Sequence, residues 1–75
     1  MIIPTKYVQE QDALIGVGAV LLNQISKEKS FSQLWEDVKK GPVVGTYSRF
    51  ILALDLLFIL GLIEYENGKI IKVTS

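Results

Sequence analysis

Two of the side chains most used in covalent and acid–base catalysis are missing from this sequence. It has no histidine and no cysteine. Imidazole catalysis, disulfides and Cys/His zinc sites are therefore excluded. Asp55 stands alone in an apolar run, FILALDLLFILGLI (50–63), with no second acid, base or nucleophile obviously placed beside it, so it does not read as catalytic. Gly16-Val17-Gly18 forms a GxG, but no strand precedes it in the βαβ setting that a dinucleotide loop requires. Gly41-Pro42-Val43-Val44-Gly45 lacks the GK[ST] ending and the preceding strand of a phosphate cradle. The expectation is a protein that is not an enzyme and that holds no cofactor and no metal.

Charge narrows the partners. Eight basic and eight acidic residues give a formal net charge of zero. A dedicated DNA binder usually carries a basic excess that neutralises phosphates and releases counterions. The side chains that could touch nucleic acid are Lys39, Lys40, Arg49 and Lys69, with Glu64 and Glu66 close to the last of them. Met1-Ile2-Ile3-Pro4 has no charged n-region, long h-region or small-residue cleavage site. No uncharged apolar run reaches the roughly 18 residues of a membrane span. No membrane partner is expected, and the cytoplasm is the default location, in keeping with the absence of cysteine.

What remains is binding, and the elements must be placed to see where. The 75 residues make one domain, in which a chain of this size buries only about 60% of the surface it exposes when unfolded. Residues 1–8 read as an extended N-terminal arm, because Pro4 removes a backbone donor and pushes Ile3 away from helix. Ile2, Ile3 and Tyr7 make that arm apolar, and it is either frayed or tied down on its own domain or a partner. Residues 9–61 read as three helices. The first spans Gln9 to Ser26, with Asp12 near its N-terminus and Leu14, Val17, Leu21 and Ile25 at helical spacing. Gly16 and Gly18 each cost it about 1 kcal/mol relative to alanine, which close approach of another backbone would offset.

Lys27-Glu28-Lys29 reads as a polar turn, and Ser30 with Gln33 matches a capping box opening a second helix, Phe31 to Lys40. Gly41 is a natural residue to end that helix. Thr46 caps a third, which continues to Gly61. Residues 62–75 form a wing. Leu62 to Glu66 and Lys69 to Val73 flank Asn67-Gly68, the preferred pair for a two-residue type I′ turn. That loop sets Glu66 opposite Lys69 and Tyr65 opposite Ile70.

Projected at 100° per residue, the third helix carries Phe50, Ala53, Leu54, Leu57, Leu60 and Gly61 on one side. Ile51, Leu52, Asp55, Leu56, Phe58 and Ile59 fall on the other. Both sides are apolar, and a domain this small has little protein with which to surround a helix. One side is therefore expected to meet another chain. Asp55 has three readings: exposed at the patch edge, hydrogen-bonded within its own fold, or a charged handle for an Arg or Lys of a partner. Trp35 has two: closing the core or anchoring an interface.

Three helices followed by a β-hairpin is the order of a winged helix, an α+β fold, with Ser30-Phe31 available as the third strand of the small sheet. Winged helices often bind DNA, but the third helix offers only Tyr47, Ser48 and Arg49 at its start before it turns apolar.

The residues Met1-Ile2-Ile3-Pro4-Thr5-Lys6, the Leu34-Trp35 pair and RFILALDLLFILGLIEYENGKI (49–70) together resemble the middle component of ABC-three component systems, in particular the short type six. The resemblance covers nearly the whole chain. It implies an anti-phage and anti-plasmid defence module related to the Lamassu type. Such a module pairs an SMC-like ABC ATPase with an effector and a small middle subunit. That subunit would be a non-enzymatic adaptor, docked on the ATPase near its head or coiled-coil neck and helping to hold the effector inactive. The family offers no catalytic residues. On the physical argument, partner contacts are expected at Ile2, Ile3, Tyr7, Trp35, Ile51, Leu52, Asp55, Phe58 and Ile59. A winged-helix transcription regulator or antitoxin-like repressor is the competing reading, and a domain that only homodimerises is a third.

Overall fold

The computed structural model describes the backbone of residues 5–73 and the side chains of residues 13–73. The chain runs α1 (Thr5–Gln24), β1 (Glu28–Ser30), α2 (Phe31–Val38), α3 (Tyr47–Ile59), β2 (Ile63–Glu66) and β3 (Lys69–Lys72). The strands form one antiparallel sheet in the order β1-β3-β2. The fold is thus a small α+β domain of three helices and a three-stranded antiparallel sheet.

Helix α1 starts at Thr5, so Thr5 to Val8 are its first turn and not part of an extended arm. Pro4 just before Thr5 is as compatible with a helix start as with an arm, because the N–H it lacks has no partner in a first turn. Asp12 accordingly sits in mid-helix. Ile2 and Ile3 lie outside the described residues.

The third strand is Glu28–Ser30: it takes Glu28 and Lys29 from the segment read as a polar turn and Ser30 from the expected Ser30-Phe31 strand, while Phe31 already belongs to α2. Glu28, Lys29 and Ser30 pair with Ile71, Ile70 and Lys69. A central β3 lets even a polar tripeptide become a strand, since its backbone groups gain partners there that a turn would lack. Ser30 does cap α2, its Oγ accepting from the Gln33 N–H at 3.1 Å. The Gln33 side chain does not return to Ser30 and instead donates to Asp37 at 2.8 Å, so only half of the capping box is made. Helix α2 ends at Val38, and the left-handed glycine of the following loop is Gly45 (φ 74°), not Gly41.

Helix α3 is capped at both ends as its sequence indicates. Thr46 accepts from the Arg49 N–H at 3.1 Å. Gly61 takes φ 75°, its N–H reaches the Phe58 carbonyl at 3.0 Å, and the Leu62 N–H reaches the Leu57 carbonyl at 2.9 Å. This pair of bonds is the Schellman closure. The hairpin follows, with Asn67 (φ 52°) and Gly68 (φ 76°) both left-handed, Glu66 opposite Lys69 and Tyr65 opposite Ile70.

Val17, Leu21 and Ile25 from α1 and its exit, Leu34 and Val38 from α2, Phe50, Ala53, Leu54 and Leu57 from α3, Val44, Ile63 and Ile70 make the core. It contains no polar residue among those described. Gly18 lets α1 and α3 come together: a Cβ there would stand 3.2 Å from Leu57 Cδ2. Gly16 has no such role, because a Cβ on it meets nothing within 4 Å. Lys72 closes the other end of α1, its Nζ donating to the Leu22 carbonyl at 3.3 Å where the helix leaves acceptors unsatisfied.

Candidate partner-binding surface

The core takes one side of α3 and leaves the rest uncovered. Leu52 is 53% exposed, Phe58 50% and Ile59 78%, with Asp55 exposed among them and Ile51 half-buried. Of the expected partner contacts, Ile51, Leu52, Asp55, Phe58 and Ile59 therefore share this one face. Leu60, assigned to the core side by projection, is 60% exposed, on the last turn of α3 where it lines an open groove instead of the core.

Two features extend the face on either flank. On one, the Phe58 ring stacks on Tyr65 of β2 at 5.2 Å between centroids and 24° between planes. Burial raises the Tyr65 phenol above its ordinary pKa, and the nearby Asp55 carboxylate adds to the shift. On the other flank, Ile15, Ala19 and Leu22 of α1 face Leu56, Leu57, Leu60 and Leu62 across a groove of about 210 Å³. Sequence reasoning passed over this groove. Its signal was present in Ile15, Ala19 and Leu22, which repeat at i, i+4 and i+7 beside the core stripe of Val17 and Leu21.

Trp35 lies elsewhere. Its ring is half-buried, 5.0 Å from Phe50 and 5.0 Å from Tyr47, in a cluster that Phe31 completes at 5.3 Å from Phe50. It roofs the core over α2 and the start of α3, away from the α3 face. Tyr7 lies within α1. Ile2 and Ile3 fall outside the described residues.

The four basic residues considered for nucleic acid are scattered over α2's exit, the start of α3 and the hairpin. Lys39 pairs with Glu36 at 2.7 Å, and Lys69 with Glu28 at 3.2 Å. Lys40 is exposed, and Arg49 is half-buried at the first turn of α3. Register places Lys69 between Ser30 and Glu66, with Glu28 and Glu64 flanking Ile71 on the same sheet face. That face presents carboxylates around its lysine, an arrangement that works against phosphate contact. Lys29 and Asp37 make a further ion pair at 2.6 Å, and the bonds from Lys29 and Gln33 hold the Asp37 carboxyl below its ordinary pKa. Among the described residues no helix is long and apolar enough to cross a membrane.

The chain belongs to the ABC-three component (ABC-3C) system Middle Component 6 family, whose model matches residues 3–74. It is accordingly the middle component of a system that has other components. No curated protein and no solved structure matches it.

Proposed function

We propose that this middle component is a non-enzymatic adaptor that bridges an SMC-like ABC ATPase and an effector in a cytoplasmic, Lamassu-like anti-phage and anti-plasmid defence complex. The observation that carries the proposal is the uncovered apolar face of α3 together with the adjoining groove. Isolated domains rarely leave a contiguous apolar patch of this kind without a partner for it. The fold reading that goes with it is a winged helix. The order of helices and strands and the sheet order β1-β3-β2 support it, with β2 and β3 as the wing. In that reading α3 occupies the recognition-helix position but presents leucine, isoleucine and phenylalanine where a DNA reader presents polar and basic groups. Partner chains, not base edges, are what such a helix can recognise.

The test is affinity purification of the chain expressed with its neighbouring operon genes. The ATPase and effector chains are expected to co-elute with the wild type. Ile59→Glu is expected to abolish co-elution while leaving the thermal melt unchanged, since Ile59 makes little contact with its own core. Absence of both neighbours from the wild-type eluate refutes the adaptor reading. Salt-sensitive binding to the operon's own promoter in their place supports a repressor.

A further inference from the structure

The α3 face carries one charge, and its position is informative. Ile51, Asp55 and Ile59 follow one another at i, i+4 and i+8, so the carboxylate stands at the middle of the stripe and not at its rim. Among the described residues Asp55 makes no hydrogen bond and no ion pair, and the charge-bearing group it influences is the Tyr65 phenol. No lysine or arginine occurs between Arg49 and Lys69. Lys72, near the groove, is already engaged by the Leu22 carbonyl.

These facts discriminate between occupants of the face. A second copy packed on this face by a two-fold axis at the middle of the stripe would set α3 against α3, parallel if the axis runs along the helix and antiparallel if it crosses it. Asp55 would then meet Asp55 of the copy inside a dry apolar contact, where two carboxylates oppose each other. A cation at the same point forms a charge-assisted hydrogen bond instead. The shape of the site is set by two helices: the groove runs between Ile15 and Ala19 on α1 and Leu56 and Leu60 at the end of α3. A helix laid along the stripe meets Asp55 directly, and the groove, which lies on the flank away from Asp55, receives side chains at the edge of that helix.

We infer that the element covering α3 is an apolar-faced helix of a different protein chain with an arginine or lysine opposite Asp55, and that Asp55 keeps this face from pairing with a second copy of its own chain. The inference rests on the adaptor reading and specifies the chemistry of its partner.

The experiment uses the full chain co-expressed with its operon neighbours, alongside the chain alone. Asp55 is exposed, so its variants leave the core intact; Asp55→Asn keeps the side-chain shape, and each variant's thermal melt verifies folding. Asp55→Asn is expected to weaken the partner complex by about 30-fold or more, as loss of one member of a buried charge pair does. Asp55→Lys abolishes it, and a Lys→Glu or Arg→Glu change at one position of the partner restores binding to Asp55→Lys. By light scattering near neutral pH the lone wild type is a monomer and Asp55→Leu a dimer. Full binding by Asp55→Lys, with Ile59→Glu still disruptive, overturns this inference and leaves the adaptor reading standing. A wild-type dimer that Ile59→Glu dissociates also overturns it. A wild type that brings down no neighbour overturns both.

Discussion

Two glycines two residues apart in α1 make a controlled comparison of what the α1–α3 contact costs. Gly16→Ala adds a methyl that meets nothing within 4 Å, so the variant gains the intrinsic helix preference of alanine, about 1 kcal/mol. For a domain of this size that is worth roughly 4–8 °C in melting temperature. Gly18→Ala has the same intrinsic gain, but its methyl stands 3.2 Å from Leu57 Cδ2 and 3.7 Å from Leu57 Cγ. Comfortable carbon contacts lie at about 3.5–4.0 Å, so Leu57 must give way by a few tenths of an ångström. Leu57 is packed on its own core, yet it also lines the α1–α3 groove and has that side on which to yield. The clash therefore takes back most of the gain, leaving Gly18→Ala about 1 kcal/mol less stable than Gly16→Ala. Gly18→Val, with two further methyls against α3, falls below wild type by about 2 kcal/mol. Thermal and urea unfolding followed by circular dichroism measure all three. Equal stabilisation by Gly16→Ala and Gly18→Ala would refute the close-approach argument. Because a shifted Leu57 reshapes the groove, Gly18→Ala should also weaken partner binding while Gly16→Ala does not.

Three further outcomes follow from the same fold. Gly61→Ala places a side chain at φ 75° and should destabilise by about 1 kcal/mol in urea unfolding, although its methyl meets nothing within 4 Å. Asp37 is held below its ordinary pKa of 3.8 by the bonds from Lys29 and Gln33, so the unfolded chain binds its proton first on acidification. Its stabilising effect is therefore present above that value and lost as the pH falls through the folded value; acid unfolding of Asp37→Asn should lack this component, and an identical acid limb in both proteins would count against it. Absorbance titration of Tyr65, isolated by difference against Tyr65→Phe, should place its phenol above 10.0, and Asp55→Asn should bring it only partway back, since burial is the larger cause.

The parts of the fold legible in the sequence were those decided by local chemistry. Asn67-Gly68 fixed the hairpin and its register, Thr46 and Gly61 bracketed α3, and Ser30 opened α2. Each rests on one residue with a strong backbone preference, which tertiary context has little reason to override. The parts that escaped were those decided by partners distant in sequence. Glu28–Ser30 has no strand character of its own and becomes a strand because β3, far along the chain, lies alongside it. The start of α1 escaped for a related reason: Pro4 permits both an arm and a helix start, and no capping pattern separated the two.

The site divided along the same line. The outer stripe of α3 was legible because helical periodicity alone separates Ile51, Asp55 and Ile59 from Phe50, Leu54 and Leu57, and burial follows it at Asp55 and Ile59, with Ile51 half-buried against the core. The groove was not, because it needs two helices at once, and periodicity in α1 ranks Ile15 beside its core neighbours with nothing to mark it as uncovered. Leu60 failed for a different reason: it keeps helical geometry as the C-cap, but it lines the open groove with Ile15 and Leu62 and no core residue covers it there. That failure enlarged the exposed surface. A helix apolar on every side can be satisfied within a larger domain by adding layers. Among the described residues α2 covers only the start of α3, through Phe31 and Trp35, β1 joins the sheet, and α3 closes with a glycine turn with Leu60 and Leu62 left in the open. The uncovered face is thus a consequence of where the chain stops surrounding α3, and Asp55 is the one position on it where composition departs from what burial against hydrocarbon alone would select.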